Sequence, residues 1–183
     1  AAESVAVSLL FSFLNPAHEQ LILEKLKSQI PLIYASISSE IVPEFREYER
    51  TSTVVINSYV GPKVSQYMDN LTSKVEHPIR VMPSSGGSIT SQLASKEPVR
   101  TILSGPAGGV VGAYRTAKQA GIDQIISIDM GGTSTDVSIC PNRIQETTQA
   151  NISGYPISIP MIEIHTVGAG GGSIAAINAG GSL

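Results

Sequence analysis

The first 60 residues of this 183-residue chain contain no glycine, and all 17 glycines lie between Gly61 and Gly181. Collagen-like and low-complexity chains spread glycine throughout, so both classes are excluded. There is one cysteine, Cys140, which rules out an intramolecular disulfide and a multi-cysteine zinc site. It favours a reducing compartment, so a cytoplasmic location is expected. Cations are scarce. The net charge is −3 with a pI near 5.6, and no dense Lys/Arg run occurs, so no nucleic-acid partner is expected. No stretch of about 18 apolar residues is present, so no membrane association is expected. Residues 4–14 (SVAVSLLFSFL) are apolar but lack a basic flank, and read as a buried strand rather than a signal peptide.

The scarcity of charge is uneven. Residues 120–183 carry one base, Arg143, against five acids: Asp123, Asp129, Asp136, Glu146 and Glu163. Isolated acids in a Gly-rich, cation-poor segment could hold a hard metal ion. The same counts equally suit a poorly charged, buried segment. The length fits one globular domain, or one domain plus part of another.

Strand and helix signals alternate, which implies an α/β protein with a parallel or mixed sheet. A strand over Val5–Leu14 is followed by Asn15-Pro16, an N-cap and a first-turn proline, which open a helix to about Ser28. Leu32–Ile37 reads as a second strand. A long helix is expected from about Pro43, with Phe45, Tyr48 and Tyr59 on a core-facing stripe. Gly61-Pro62 is expected to break it, and a second helix to run to about Lys74. Ile79–Met82 is a third strand.

The glycines then arrive in four groups. Ser84-Ser85-Gly86-Gly87 follows a strand, and Gly105-Pro106-Ala107-Gly108-Gly109 opens a helix to about Gln119. Asp129-Met130-Gly131-Gly132-Thr133 sits between the strands Gln124–Ile128 and Thr135–Cys140. Gly168 to Gly172 follows the strand-like Ile157–Thr166.

The third group carries the sharpest chemistry. Adjacent glycines permit positive φ and close approach of the backbone to a ligand. The N–H groups of such a turn can form a concavity for phosphate. Thr133, Ser134 and Thr135 add hydroxyl donors. Asp129 and Asp136 flank the turn, and two carboxylates beside a phosphate cradle can hold Mg²⁺. A plain Gly-Gly hairpin with capping hydroxyls suits the same residues, and both readings stay open on chemistry alone.

The order helix, apolar strand, D-x-G-G-T-x-x-D-V-S is similar to the second phosphate-binding loop of actin-like ATPases. Several stretches resemble the hydantoinase A/5-oxoprolinase family more closely. They are Leu10 to Glu19, Val42 to Thr53, Ser84 to Gly87, Ser104 to Ala113, Asp129 to Ser138 and His165 to Ser173. They cover nearly the whole chain, in order.

The resemblance implies an RNase-H-like, actin-like ATPase fold, present in part. Residues 1–119 would hold the end of the first lobe and the connecting helix, and 120–183 the start of the second. In the family a first phosphate loop lies upstream and an adenosine-binding segment downstream, and neither is found here, so an internal fragment is expected. Such a fragment is expected to bind ATP weakly and not to turn over. The implied activity is ATP-dependent hydrolysis of a cyclic amide, with ATP and Mg²⁺ as cofactors and a hydantoinase B-type subunit or domain as partner. Phosphorylation of the amide oxygen would precede ring opening by water. A subunit of an ATP-dependent ketone carboxylase and a non-enzymatic nucleotide-switch module are the alternatives. Asp129 and Asp136 would serve the metal and phosphate, and Gly131, Gly132, Thr133, Ser134 and Thr135 the phosphate cradle.

Other residues are less pointed. Glu163 and His165 stand two apart on one strand face and could bind a metal or act as acid and base. A hydrogen-bonded structural pair is the competing reading. Ser84 and Ser85 suit either a ligand contact or a capping turn. His18 and His77 are expected on the surface, and Cys140 in the core. Gly108 and Gly112, four apart on a helix, suggest close packing along that face.

Overall fold

The computed structural model describes residues 2–152, 154–177 and 180–181. Ser182 and Leu183, at the Gly-rich end where no terminating element is expected, lie outside them. The chain divides into two compact units, Ala1–Ser104 with Glu146–Met161, and Gly105–Gln145 with Ile162–Leu183.

In the first unit, β1 (Ser4–Val7) and β2 (Tyr34–Ile37) pair in parallel, joined through helix α1 (Ala17–Gln29). Parallel pairing needs such a crossover. β1 ends far short of Leu14. Residues 10–13 form turns, Phe11 takes a φ of 57°, and Leu10 and Phe11 are 73% and 63% exposed. The strand stops because the Leu9 peptide is held from both sides. Its N–H donates to Glu19 Oε1 at 2.8 Å, and its carbonyl accepts from Arg50 Nη2 at 2.9 Å. The N-cap is Pro16 rather than Asn15, so the proline stands one residue before the first turn. Asn15 Oδ1 accepts from the N–H of Ala17 at 3.1 Å, two residues on.

A short helix α2 (Ser38–Ile41) leads to α3 (Glu47–Thr72), which runs unbroken through Pro62. Proline removes one intrahelical N–H, and its ring also clashes with the Cβ of the residue before it. Gly61 has no Cβ, which relieves that clash. The same absence admits the Tyr34 ring, because a Cβ on Gly61 would lie 2.2 Å from Tyr34 Cε1. Burial pushes the Tyr34 phenol up to about 12. Its hydroxyl donates to the carbonyls of Ser95 and Lys96, the last two residues of α4 (Ser91–Lys96).

Phe45 lies before the helix, and the face of α3 that carries Tyr48 and Tyr59 is turned outward: the three are 66%, 70% and 81% exposed. With Val55, Ile102, Ile152 and Tyr155 the two tyrosines border an open groove of about 800 Å³. The buried face of α3 is instead largely polar, with Arg50, Thr53, Asn57 and Ser58 beside Val54. All four bond outside the helix, as buried polar groups generally must, although Arg50 Nε has no partner among the described residues. Asn57 Nδ2 donates to Ser36 Oγ at 3.0 Å, and its Oδ1 accepts from the N–H of Val99 at 3.1 Å. Ser58 donates to the carbonyl of Val5. Thr53 Oγ1 accepts from the N–H of Ser158 at 2.9 Å.

Ser158 belongs to β8 (Tyr155–Ile162), which pairs with β7 (Glu146–Ile152). Ile157, Ile159 and Met161 of β8 complete a core with Ile41, Val42, Val54 and Val99. A two-residue antiparallel pair, β3 (Arg80–Val81) with β4 (Ile89–Thr90), completes the unit.

The second unit begins with α5 (Ser104–Gln119). It continues as an antiparallel sheet in the order β5 (Gln124–Met130), β6 (Thr135–Pro141), β9 (His165–Val167). Ala107 and Val110 of α5 pack with Cys140 and Ile162. The helix therefore packs with the hairpin that follows it. The strand expected over Ile157–Thr166 is two strands, β8 and β9, interrupted at Glu163 and Ile164.

Candidate functional site

Register decides what shares a face in the second unit. In β5–β6 the opposed pairs include Ile125↔Cys140, Ser127↔Ser138 and Asp129↔Asp136. In β6–β9, Asp136 stands opposite Thr166. Directly opposed residues project to one side of the sheet. Asp129, Asp136 and Thr166 thus form a row across three strands, next to the Gly131–Ser134 turn. That face carries buried Cys140, packed against α5. The alternate face carries Ile126, Ile128, Met130 and Ile139, all exposed.

α5 crosses the acidic row closely. A Cβ on Gly109 would stand 3.4 Å from Asp129 Oδ2. Pro106, Gly109 and Val110 of α5, with Ser127, Asp129 and Asp136, line a cavity of about 380 Å³. The close approach falls at Gly109. Gly112, expected to provide it, faces open space.

Two like charges directly opposite on neighbouring strands are destabilising unless something compensates. The compensation inside the chain is small. Thr166 Oγ1 donates to Asp136 Oδ1 at 2.6 Å. Among the described residues no donor reaches Asp129 or the second oxygen of Asp136. Three carboxylate oxygens are therefore left with acceptor capacity on one face.

The turn differs from its expected form. Gly131 and Gly132 do not take positive φ. The N–H of Gly131 closes the turn on the carbonyl of Ser134 at 2.9 Å. The N–H groups of Gly132, Thr133 and Ser134 donate to no described atom, and neither do the hydroxyls of Thr133 and Ser134. Thr135 drops out of the expected cradle. It is buried, and its hydroxyl is committed to the carbonyl of Ala169 at 2.6 Å.

The need for glycine is sharpest on the opposing loop. A Cβ on Gly170 would lie 2.6 Å from the Gly131 carbonyl oxygen and 2.8 Å from Thr133 N. The N–H groups of Gly171 and Gly172 donate to the carbonyls of Gly131 and Gly132 at 2.9 and 3.2 Å. Ser173 closes the loop, its Oγ accepting from the N–H of Gly170 at 3.0 Å. The third and fourth glycine groups of the sequence are one structure. Thr166 and Gly170 escape sequence reasoning, although the stretch His165 to Ser173 is itself conspicuous.

The remaining candidates separate from the row. His165 stands opposite Val137, one residue from Thr166, and so projects to the other side of the sheet. Glu163 lies between strands, its carbonyl accepting from Ser138 Oγ at 2.8 Å. Among the described residues no bond joins Glu163 to His165, and no cluster of three or more His, Cys, Asp or Glu suits a metal. Ser84 is buried in the first unit with its hydroxyl against the carbonyls of Arg100 and Ile102, which makes it a structural clip. His18 and His77 are exposed and Cys140 is buried. No described helix is long and apolar enough to cross a membrane.

Comparison with known proteins adds family context. Residues 50–183 match the sequence model described as Hydantoinase/oxoprolinase. Caprolactamase subunit alpha of Pseudomonas jessenii is 35% identical over 99% of this chain, which spans 27% of that protein. The crystal structure of ATP-dependent caprolactamase from that organism matches 97% of the chain with a TM-score of 0.85 and 33% identity, over 27% of its own length. The 5-oxoprolinase of Saccharomyces cerevisiae is 34% identical over 94% of the chain, which spans 14% of that protein. A nucleotide-free acetone carboxylase structure matches 92% of the chain with a TM-score of 0.79 and 30% identity, over 25% of its length.

Proposed function

The chain belongs to the hydantoinase/oxoprolinase family, and from that premise we propose that it supplies one side of the nucleotide site of an ATP-dependent cyclic-amide hydrolase. The observation that carries this reading is the Asp129–Asp136 pair, opposed in register beside a glycine turn with spare N–H groups. The relatives support ATP dependence: one matched structure is named an ATP-dependent caprolactamase. The α/β units, with the helix packed on the hairpin, suit the actin-like ATPase fold, with residues 1–119 and 120–183 in its two lobes.

The roles follow from donor chemistry. The free N–H groups of Gly132, Thr133 and Ser134, with the hydroxyls of Thr133 and Ser134, are donors for phosphate oxygens. Asp129 and Asp136 fit Mg²⁺, a hard cation that takes one or two carboxylates together with substrate phosphates. Their unsatisfied oxygens and mutual repulsion are the structural grounds for that fit. When bound, the cation would neutralise charge developing on the transferred phosphoryl group.

An amide carbonyl is a poor electrophile, which is why ATP is needed. The amide oxygen attacks the γ-phosphorus and ADP leaves. Water then adds to the carbon of the phosphorylated amide, the protonated ring nitrogen leaves as the C–N bond breaks, and a second water hydrolyses the resulting acyl phosphate to carboxylate and phosphate. The chain spans about a quarter of the caprolactamase subunit. The substrate pocket and a hydantoinase B-type partner are assigned to polypeptide outside these residues. A cytoplasmic location fits metabolic chemistry of this kind.

A second reading is an ATP-dependent ketone carboxylase, favoured by the match to acetone carboxylase. The two are separated by assaying the intact protein for phosphate release with caprolactam, 5-oxoproline or hydantoin, against acetone with bicarbonate. Release that requires a cyclic amide supports the hydrolase. Release that requires ketone and bicarbonate replaces it with the carboxylase. ATP turnover indifferent to both substrate classes would point to a nucleotide switch.

A further inference from the structure

We propose that Thr166 is a positioning residue, which aims Asp136 at the cation and ties that aim to the seating of the Gly168–Ser173 loop. This rests on the nucleotide-site reading above. Three observations converge on it.

The first is the row. Thr166 stands directly opposite Asp136, which stands directly opposite Asp129. The Thr166 hydroxyl takes Asp136 Oδ1 at 2.6 Å, so one oxygen is fixed and the other is left for a ligand. A β-branched side chain has few χ1 states on a strand, so the donor is itself well aimed. A hydrogen bond to an ionised acceptor is also stronger than a neutral one.

The second is the loop. Two residues after Thr166 the chain enters Gly168–Ser173, which docks on the turn through Gly171 to Gly131 and Gly172 to Gly132. Gly170 sits where no side chain fits. The third is a second anchor on the neighbouring strand: Thr135 donates to Ala169 at 2.6 Å, inside the same loop. Adjacent residues of β6, Thr135 and Asp136, therefore hold the loop and receive its preceding hydroxyl. Unseating the loop shifts β9, and with it the donor on Asp136.

The test is made on the intact protein with Mg²⁺ and ATP, and reads binding by calorimetry across a Mg²⁺ titration. Thr166→Val removes the donor and keeps the shape. We expect it to raise the Mg²⁺ needed for half-maximal ATP binding by about tenfold, the scale of one hydrogen bond to a charged group. Thr166→Ser keeps the donor and is expected to restore the wild-type requirement. Thr166→Ala replaces the valine variant if that one does not fold. Hydrogen exchange at the Gly171 and Gly172 amides supplies a readout independent of nucleotide, and is expected to quicken in Thr166→Val.

Thr135→Val loosens the loop without removing the Thr166 hydroxyl, and is expected to quicken the same amides with a smaller Mg²⁺ effect. An unchanged Mg²⁺ requirement in Thr166→Val, or an equal shift in Thr166→Ser, overturns the proposal. Asp136→Asn separates this from the parent reading. If it weakens binding while Thr166→Val does not, only the Thr166 role fails. If Asp136→Asn also leaves binding unchanged, the nucleotide site itself is wrong.

Discussion

The two units bury and present carboxylates in opposite ways. In the first, Glu19 is fully buried and both its oxygens are engaged. Its oxygens accept from Leu9 N–H, Ser38 Oγ and Ser39 N–H at 2.7 to 2.8 Å. Burial pushes its pKa up, but the hydrogen bonds led by the Ser39 amide outweigh that and hold it below the ordinary carboxylate value. In the second, Asp129 and Asp136 face each other with one donor between them. A buried carboxylate whose two oxygens accept three hydrogen bonds within the chain is a structural member, because both oxygens are already engaged and water-shielded. A repelling, under-bonded pair costs stability, and persists where an external cation completes it. The contrast separates scaffold from site more sharply than residue type does.

That contrast can be broken by substitution. Asp129→Asn should show the largest effect, lowering ATP-dependent turnover of the intact protein by about 100-fold, as loss of a group stabilising transition-state charge does. Its thermal midpoint should not fall, because a like-charge pair has been relieved. A lowered midpoint would show that Asp129 supports the fold and would erase the distinction. Gly61→Ala probes the scaffold side and should cost about 3 kcal/mol in urea unfolding, since the new methyl meets the anchored Tyr34 ring. An unaffected midpoint would mean that α3 and Tyr34 separate readily.

Glu19→Gln should cost about 2 kcal/mol at pH 7, because the amide turns a donor toward backbone donors. The pH dependence follows in sign. Because the folded pKa lies below the unfolded one, this stabilisation is fully present above the unfolded value of about 4.3. It is lost as pH falls through the lower folded value. The gap between wild type and Glu19→Gln should therefore narrow at pH 3, and a gap that widens in acid contradicts the assignment. The smallest effect is expected from His165→Ala. The histidine projects to the other side of the sheet from the acidic row, so Mg²⁺-dependent ATP affinity should be unchanged. A large loss would return His165 to the site.

Much of this was legible in the sequence. Alternation of strand and helix signals, the bend at Gly131-Gly132, the start of α1 beside Pro16 and burial of Cys140 all follow from local pattern and chemistry. The failures share one cause. Val5–Leu14 reads as a strand because its residues are apolar, but Glu19 and Arg50 seize the Leu9 peptide from elsewhere in the chain. The aromatic face of α3 has helical spacing, yet periodicity says only which residues share a face, not which face turns inward. Here the polar face does, since Ser36, Val99 and Val5 supply its partners. The break expected at Gly61-Pro62 fails because the glycine that suggests a stop also removes the clash that proline would cause.

By itself the sequence determined where glycine is absent and where it gathers, the family, and the two aspartates flanking a flexible turn. Those are properties of residue type and order. Only the tertiary structure decided that the turn at Gly131 and the loop at Gly170 are one assembly, because Gly170 and Gly131 are far apart in sequence and meet through the β6–β9 pairing. It also decided that Thr166 belongs with Asp136 while His165, its neighbour, does not. Side chains alternate along a strand, so register assigns neighbouring residues to opposite faces, and register is a relation between strands that no single stretch of sequence contains.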